Sequence, residues 1–379
     1  MLIVIFSLTI LLTLGYVFLI LLLYRGLFFL KSGKNDLKYF VSAVVAARNE
    51  ESNIGNCIEA LINQSYPSNN YEIIIVNDRS TDQTAAIVER YHKNHDQVKL
   101  VNVVDLSQGI SPKKHAIDQG IKSAKGAIIL TTDADCVPGS GWIEGMVSYF
   151  EPEVGLVAGF SPLMKHGKKT IFSKLFTLDS LSLAALAAGS FGLGKPLTCN
   201  GRNLAYRKET FKSVDGFKEI QNLISGDDDL FLHLVTRKTS WKARYAINNQ
   251  TIVPSQIPGS LKQFANQRIR HASKGRHYSI GLKLLLLLVY LFNLLLLVLL
   301  PISLFETSLL LPWLICWLAK SLSEFMLVYG FADIFKFKRA LNLFPLAMLL
   351  HVPYVVIFGL WGQFGKFQWK EDTFKSTAR

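Results

Sequence analysis

The sequence predicts an α/β protein in which a doubly wound, mostly parallel sheet is flanked by transmembrane helices. Two features of the 379-residue chain carry this prediction. Apolar residues concentrate in the first thirty positions and after about Leu282, whereas the middle of the chain has the charges and turns of a soluble domain. In that middle part, short β-rich runs alternate with segments of helical spacing, a pattern typical of βαβ units and a parallel sheet.

The first apolar block runs from Leu2 to Leu23, and about 20 such residues are enough to cross a bilayer. A cleaved signal peptide is the competing interpretation, but it requires a basic start and a small-residue cleavage site. Here Leu2 follows Met1 at once, and Arg25 follows the run. We therefore expect residues 1–30 to form a retained anchor.

Residues 38–259 are expected to form one domain of alternating strands and helices. The β-rich runs are Phe40–Ala47, YEIIIVND, VKLVNVV and GAIILTTDAD. The segments IGNCIEALI, STDQTAAIVERY and KKHAIDQGIKSA are predicted as the helices between them. Ser80 and Gln83 fit a capping box at the start of the second helix.

Polar clusters follow three of these strands, in Ala47–Glu50, Asn77–Arg79 and Asp133–Asp135. In doubly wound sheets, ligands bind beyond the carboxyl ends of the strands. Each cluster alone is compatible with a turn or a helix cap, but three clusters at one edge of the sheet indicate a binding site.

Asp133 and Asp135 lie two residues apart, so both side chains would face the same side of a continuous strand. Adjacent carboxylates repel each other, and a divalent cation neutralises them. Mg²⁺ keeps one or two protein carboxylates and binds substrate phosphates with its other positions. Because the chain has no Walker loop and no Gly-x-Gly-x-x-Gly motif, we expect Mg²⁺ or Mn²⁺ at this pair, holding a diphosphate. Asp78 and Glu50 could then accept hydrogen bonds from a nucleoside, with Lys113 near the base or the phosphates.

A third acidic cluster, Asp227 to Asp229, follows Gly226. A solvated loop is the ordinary interpretation of an acidic run, but the apolar Leu230–Leu232 follows directly and draws the cluster toward a core. Packing like charges together raises the pKa of a carboxylate, which suits a general base.

The segment 260–280 is predicted as an amphipathic helix on the bilayer surface, since Leu261, Phe264 and Ile269 form an apolar face. Arg268 and Arg270 could contact lipid headgroups or neutralise a leaving diphosphate. The residue pattern leaves both roles open.

Residues 282–362 are predicted to hold further membrane spans, beginning after Leu282, at Leu309–Tyr329 and at Leu341–Trp361. Pro345 and Pro353 predict that the last of these is kinked or lies in the interface. Four spans in total are expected, with three as the alternative.

Basic residues set the expected orientation, because they stay on the cytoplasmic side. Those after the first span place the middle domain in the cytoplasm, as part of an integral inner-membrane protein; they are Arg25, Lys31, Lys34 and Lys38. Four spans would place the tail, residues 363–379, outside, although it carries Lys366, Lys370, Lys375 and Arg379. The net charge of +13 suits an anionic membrane surface, and with several spans no nucleic-acid partner is expected.

Seven segments follow one another in the order VVAARNEESNI, IIIVNDRSTDQT, KKHAIDQGIKSAKG, TTDAD, CNGRNLAYRKETF, SGDDD and QRIRH. Over roughly Val41–Gly275, this order resembles the membrane-bound family 2 glycosyltransferases with a GT-A fold, relatives of ceramide glucosyltransferase and of cellulose, chitin and hyaluronan synthases. Each motif alone is weak, but their order and spacing together are specific. The chain departs from the pattern at His271, where the family usually has Trp, which weakens the case for a polymer channel.

The resemblance implies a role for each matching residue. Donor binding would fall to Ala47, Glu50, Asp78, Lys113, Asp133 and Arg270, and metal binding to Asp135 and Asp133. Contacts with the acceptor or the diphosphate would come from Asn200, Gly201, Asn203, Gln267, Arg268 and His271. The general base would be Asp228, if Gly226-Asp227-Asp228 is the matching triplet; a shift of one residue makes it Asp227.

The implied activity is inverting, metal-dependent transfer of a sugar from a nucleotide-sugar donor, expected to be a UDP-sugar, to a lipid or lipid-linked acceptor at the cytoplasmic membrane face. The apolar stretch Leu175–Ala188 favours a lipid acceptor. A processive polysaccharide synthase is the main alternative. A sugar-1-phosphate nucleotidyltransferase fits less well, because AARNEES lacks a glycine-rich loop, and the intact acidic clusters oppose a non-catalytic membrane scaffold or export subunit.

Overall fold

The computed structural model describes residues 2–106, 109–164, 170–369 and 372–375. The chain divides into two compact units. The first, here called the membrane unit, comprises Met1–Arg25, Thr170–Ala185 and Pro258–Arg379. The second, here called the catalytic unit, comprises Gly26–Lys169 and Leu186–Ile257.

Helices and strands are numbered separately along the whole chain. The helices are α1 Leu2–Leu27, α2 Ile54–Ile62, α3 Thr84–Asn94, α4 Pro112–Ser123, α5 Trp142–Val147, α6 Ile171–Gly192, α7 Lys208–Ser213, α8 Asp229–Lys238, α9 Leu261–Ser273, α10 Ile280–Phe305, α11 Leu310–Ile334 and α12 Phe344–Phe364. The strands are β1 Val41–Ala47, β2 Tyr71–Asp78, β3 Val98–Val103, β4 Ile128–Asp133, β5 Val154–Gly159, β6 Leu163–Met164, β7 Leu204–Arg207, β8 Lys242–Ala246, β9 Ser255–Gln256, β10 Lys366–Trp369 and β11 Asp372–Lys375.

Within the described residues, the catalytic unit is built on a seven-stranded sheet in the order β3-β2-β1-β4-β7-β5-β8. Strands β1, β2, β3 and β4 pair in parallel, and only β7 runs antiparallel to its neighbours β4 and β5. Every residue of β2 is buried, as expected for a strand covered on both faces. The predicted α/β fold with a mostly parallel sheet is therefore confirmed.

Two local predictions were wrong. Strand β4 ends at Asp133, so Asp135 lies in the turn that follows rather than in a continuous strand. The predicted capping box at Ser80 is also not formed, because α3 begins only at Thr84, whose backbone N–H donates to Asp82 Oδ1 at 2.9 Å. The Ser80 hydroxyl instead accepts a hydrogen bond from the backbone N–H of Asn49.

Five helices in the described part of the chain are long and apolar enough to cross a membrane, namely α1, α6, α10, α11 and α12. Helix α6 was not among the predicted spans, although it contains the apolar stretch Leu175–Ala188. Strands β5 and β7, which precede and follow α6, pair with each other in one sheet. A single crossing by α6 would separate these paired strands across the bilayer, so connectivity rules it out as a span.

The membrane unit contains a buried polar cluster that joins three helices. Lys320 of α11 donates to both carboxylate oxygens of Glu324, at 2.8 and 3.0 Å, and lies 2.9 Å from His351 Nδ1 of α12. Tyr16 of α1 donates to Glu324 Oε1 at 2.5 Å. Paired charges of this kind face the interior of a helix bundle, because an unpaired charge in lipid is costly.

Candidate active site

The parallel pairing of β1, β2 and β4 brings their carboxyl ends to one edge of the sheet. Ala46 lies opposite Asp133, and Ala47 lies opposite Asn77. The three polar clusters that follow these strands therefore share one edge, as their sequence positions predict. Ala47 itself is buried in the sheet.

Lys113 joins two of the acidic clusters. Its ammonium lies 2.8 Å from Asp133 Oδ1 and 3.0 Å from Asp227 Oδ2. Burial alone would lower the pKa of Lys113, but the charges of Asp133 and Asp227 outweigh it and raise the pKa above its ordinary value. The lysine is therefore charged, and it holds the end of β4 and the acidic loop together.

The first turn of α4 also fixes the segment that leads into the acidic loop. Lys114 is 1% exposed, and its ammonium donates to the carbonyls of Leu223 and Ser225. The backbone N–H of Ser111 donates to Gln221 O at 2.7 Å. Sequence analysis missed this clamp, because backbone carbonyls about a hundred residues away leave no side-chain motif.

We expect replacement of Lys114 by methionine to lower both the thermal midpoint and kcat. The two part-buried carbonyls would lose their donor, at a cost of about 1 kcal/mol each, and a displaced acidic loop can reduce turnover about 10- to 100-fold. Thermal unfolding and initial rates would be compared with Lys122→Met, which changes an exposed lysine on the same helix. Equal thermal midpoints and equal rates for the two variants would contradict this role of Lys114.

Asp227 and Asp228 are placed differently, although they are adjacent. Asp228 caps α8: its Oδ1 accepts from the backbone N–H of Asp229 at 2.7 Å and its Oδ2 from that of Gly201 at 3.3 Å. Asp227 faces Lys113, and a Cβ on Gly201 would lie 3.1 Å from Asp227 Oδ2. The carboxylate of Asp227 thus points toward the edge of the sheet, while that of Asp228 serves the backbone.

The pair Asp133 and Asp135 fits a divalent cation electrostatically. The pKa of Asp135 is raised, first by burial and then by the charges of Asp133 and Glu50, while Arg202 opposes the rise. The hydroxyl of Ser255 links Arg202 to Asp135, since it accepts a hydrogen bond from Arg202 at 3.2 Å and donates one to Asp135 Oδ2 at 3.4 Å. A hard cation would relieve the carboxylate repulsion.

The protein would supply few ligands to such a metal site. No group of three or more His, Cys, Asp or Glu side chains suited to a metal ion occurs in the described residues. A cation at Asp133 and Asp135 would therefore keep its remaining positions for water and substrate oxygens, as Mg²⁺ commonly does.

The predicted nucleoside and acceptor residues have mixed environments. Asp78 is buried and accepts from Arg79 Nε at 2.8 Å, and Glu50 accepts from Asn53 at 2.8 Å. Asn200 Oδ1 accepts from the backbone N–H of Arg202 at 3.0 Å, which shapes the turn containing Gly201.

Asn203 has a structural role instead of the predicted acceptor contact. It is fully buried, donates to the carbonyls of Phe160 and Thr251 at 2.9 and 2.7 Å, and accepts from the Trp142 indole at 2.9 Å. These bonds use the amide within the protein core, so it is not available to a substrate.

Helix α9 carries the remaining predicted residues in the membrane unit. Arg268 was expected at lipid headgroups or a diphosphate, but it is buried and lies 2.5 Å from Asp179 Oδ2 of α6. The other oxygen of Asp179 accepts from Tyr354 of α12 at 3.1 Å. Gln267 Oε1 is buried with no hydrogen-bond partner among the described residues, and Arg270 and His271 follow on the same helix.

Comparison with known proteins identifies the family. The model for glycosyl transferase family 2 matches residues 42–212. The model for glycosyl transferase family group 2 matches residues 128–333, more than half of the chain. Both matches include the carboxylates at the end of β4.

Curated relatives agree with this match. Poly-beta-1,6-N-acetyl-D-glucosamine synthase of Staphylococcus epidermidis is 29% identical over 240 residues, which are 62% of this chain and 54% of the relative. Dolichyl N-acetyl-alpha-D-glucosaminyl phosphate 3-beta-D-2,3-diacetamido-2,3-dideoxy-beta-D-glucuronosyltransferase of Methanococcus voltae is 27% identical over 259 residues, covering 62% of this chain and 73% of the relative. The matches extend over only 54% to 61% of the lengths of the first curated relatives.

A solved structure shares the fold. The mannosyltransferase PcManGT from Pyrobaculum calidifontis, solved in complex with GDP-Man and Mn²⁺, superposes with a TM-score of 0.56 at 18% identity. The superposition covers 94% of this chain and 99% of the mannosyltransferase. The two family matches show that this chain belongs to glycosyl transferase family 2.

Proposed function

We propose that this glycosyltransferase moves a sugar from a nucleotide-sugar donor, a UDP-sugar, to a lipid or lipid-linked acceptor, with inversion at the anomeric carbon. The observation that carries the proposal is the double ion pair of Lys113. Asp133, which would lie beside the diphosphate, and Asp227, in the acidic loop, both pair with one ammonium. In this proposal, Asp133 would serve the leaving group and Asp227 the acceptor, on either side of the Lys113 ammonium.

Asp133 and Asp135 are the residues that would hold Mg²⁺ or Mn²⁺. Their carboxylate oxygens are ligands such ions prefer. Burial and the neighbouring charge of Asp133 raise the pKa of Asp135, and a bound cation would offset both effects. A bound divalent cation would neutralise the charge that develops on the departing diphosphate.

Asp227, rather than the expected Asp228, is the better candidate for the general base. Asp228 accepts backbone hydrogen bonds with both oxygens, so a proton transfer there would disturb the cap of α8. Asp227 would take the proton from the acceptor hydroxyl as that oxygen attacks the anomeric carbon. Glu50 and Asp78 would bind the nucleoside.

Helix α9 would supply the contacts to the diphosphate and the acceptor. A buried acceptor oxygen without a partner, as on Gln267, suits a hydroxyl donor from a ligand. Arg270 would pair with the diphosphate, and His271 could stack on a sugar. Arg268 has no part in this proposal, because Asp179 holds it.

The membrane segments support a lipid acceptor at the cytoplasmic face. We propose an anchor at 1–30, a catalytic domain at 38–259 that is cytoplasmic by the positive-inside rule, an interfacial segment at 260–280, a transmembrane region at 282–362 and a tail at 363–379. One relative has a dolichyl N-acetyl-alpha-D-glucosaminyl phosphate in its name.

A processive polysaccharide synthase is the second candidate, because another relative is named for such an activity. The purified protein in lipid nanodiscs would be incubated with a panel of nucleotide sugars and membrane lipids, and the products read by mass. A lipid that gains one or a few hexose masses supports our proposal. A polymer series favours the synthase, and transfer to neither class of acceptor would contradict both.

A further inference from the structure

The end of α12 is bound to the segment that precedes α10. Gln363 Nε2 donates to Ala272 O at 3.2 Å, and Arg276 Nε donates to Gln363 Oε1 at 3.1 Å. A second bond joins the Arg276 guanidinium to the Gln363 carbonyl. Because α10 begins at Ile280, the end of α12 lies at the same level as the start of α10.

The start of α12 lies beside the second half of α11. Helices α10 and α11 have 26 and 25 residues, enough to go across and return. The end of α11 is thus level with the start of α10. Lys338 follows the end of α11 and pairs with Asp333 at 2.6 Å. The rings of Phe344 and Phe325 are 5.1 Å apart, so α12 begins beside α11 about 14 Å before its end, at 1.5 Å per residue.

If α12 crossed the bilayer, its end would not lie beside the start of α10. From Phe344, a helix running across the bilayer would carry Gln363 about 30 Å further, to the face of the turn between α10 and α11. Gln363 instead contacts Ala272 and Arg276. Between the two ends of α12, His351 contacts the buried Lys320 of α11. Helix α12 therefore enters the bundle to about the middle of α11.

We propose that α12 is a re-entrant helix: it does not cross the membrane, and its end braces α9 from the face on which α9 lies. The chain then crosses three times, through α1, α10 and α11. Lys366 falls on the same side as Lys336 and Lys338, which removes the charge conflict of a four-span topology. The bracing role rests on the proposed function of Gln267 and Arg270 on α9, whereas the topology does not.

Cysteine labelling tests the topology. Three substitutions each place a thiol at an exposed position. They are Lys262→Cys on α9, Ser308→Cys between α10 and α11, and Lys366→Cys after α12. Sealed vesicles would be treated with a membrane-impermeant maleimide, with the parent protein as background for its four native cysteines. Lys366→Cys should label from the same side as Lys262→Cys and the opposite side from Ser308→Cys. Labelling of Lys366→Cys together with Ser308→Cys would overturn the proposal.

A glycine pair tests the brace. A Cβ on Gly362 would overlap Ala272 of α9, whereas a Cβ on Gly281, also in the membrane unit, meets nothing within 4 Å. Gly362→Ala should raise the acceptor KM or lower kcat about tenfold, while donor hydrolysis stays near that of Gly281→Ala. Gln363→Ala should behave like Gly362→Ala, and Gln363→Glu, which keeps an acceptor for Arg276, should recover part of the loss. Unchanged acceptor kinetics in both Gly362→Ala and Gln363→Ala would overturn the brace and leave the proposed transfer reaction intact.

Discussion

Replacing Asp227 by asparagine is expected to lower kcat by about 10²- to 10⁴-fold, the usual contribution of general-base catalysis. Asparagine keeps the shape of the side chain but cannot accept the acceptor proton. Lys113 still pairs with Asp133 in this variant, so the end of β4 should hold its position. Donor binding, measured by calorimetry with a nucleoside diphosphate, should change little.

The matched control is Asp228→Asn. Asparagine is as good a helix cap as aspartate, so it can still accept from the backbone N–H of Asp229. This variant should keep most of its kcat and its thermal midpoint. A large loss of kcat in Asp228→Asn, with Asp227→Asn nearly unaffected, would show that Asp228 is the general base.

Replacing Asp135 by alanine should abolish turnover together with its dependence on added Mg²⁺ or Mn²⁺. In the parent protein, Mn²⁺ should strengthen nucleoside diphosphate binding, because the cation would link the carboxylate pair to the phosphates. The alanine variant has lost one of the two carboxylates and should show no such strengthening. Calorimetric titrations with and without Mn²⁺ measure this difference directly.

A control for the loss of one negative charge is Glu153→Ala, since Glu153 is an exposed residue of the catalytic unit that pairs only weakly with Lys242, at 3.4 Å. Its response to Mn²⁺ should match that of the parent protein. If Asp135→Ala kept the full Mn²⁺ effect on nucleotide binding, the carboxylate pair would not be the metal site.

The parallel part of the sheet was predictable from sequence, because strands buried on both faces are continuous apolar runs that end in polar turns. The predicted helices α2, α3 and α4 also follow from spacing and turn residues. Strand β7 was not predicted: it inserts antiparallel between β4 and β5, and this pairing depends on residues far apart in the chain. The same separation in sequence hides that the strands before and after α6 pair with each other.

The candidate site shows the same limit. The acidic clusters are visible in sequence, since charge after an apolar run is a local signal. Their partners are not: Lys113 was expected near the base or the phosphates, but its ion pairs with Asp133 and Asp227 are visible only in the structure. Arg268 was expected at lipid headgroups or a diphosphate, because its partner, Asp179, lies on another helix. Asn203 matched a motif, yet its amide serves the core.

The anomeric configuration of the product tests the central claim most directly. If the acceptor oxygen, activated by Asp227, displaces the diphosphate in one step, an α-linked nucleotide sugar must give a β-linked product. The one-bond coupling constant between the anomeric carbon and its proton, read by NMR on the purified glycolipid, distinguishes the two anomers. A β-linkage is the expected result, and an α-linkage would contradict direct displacement at this site.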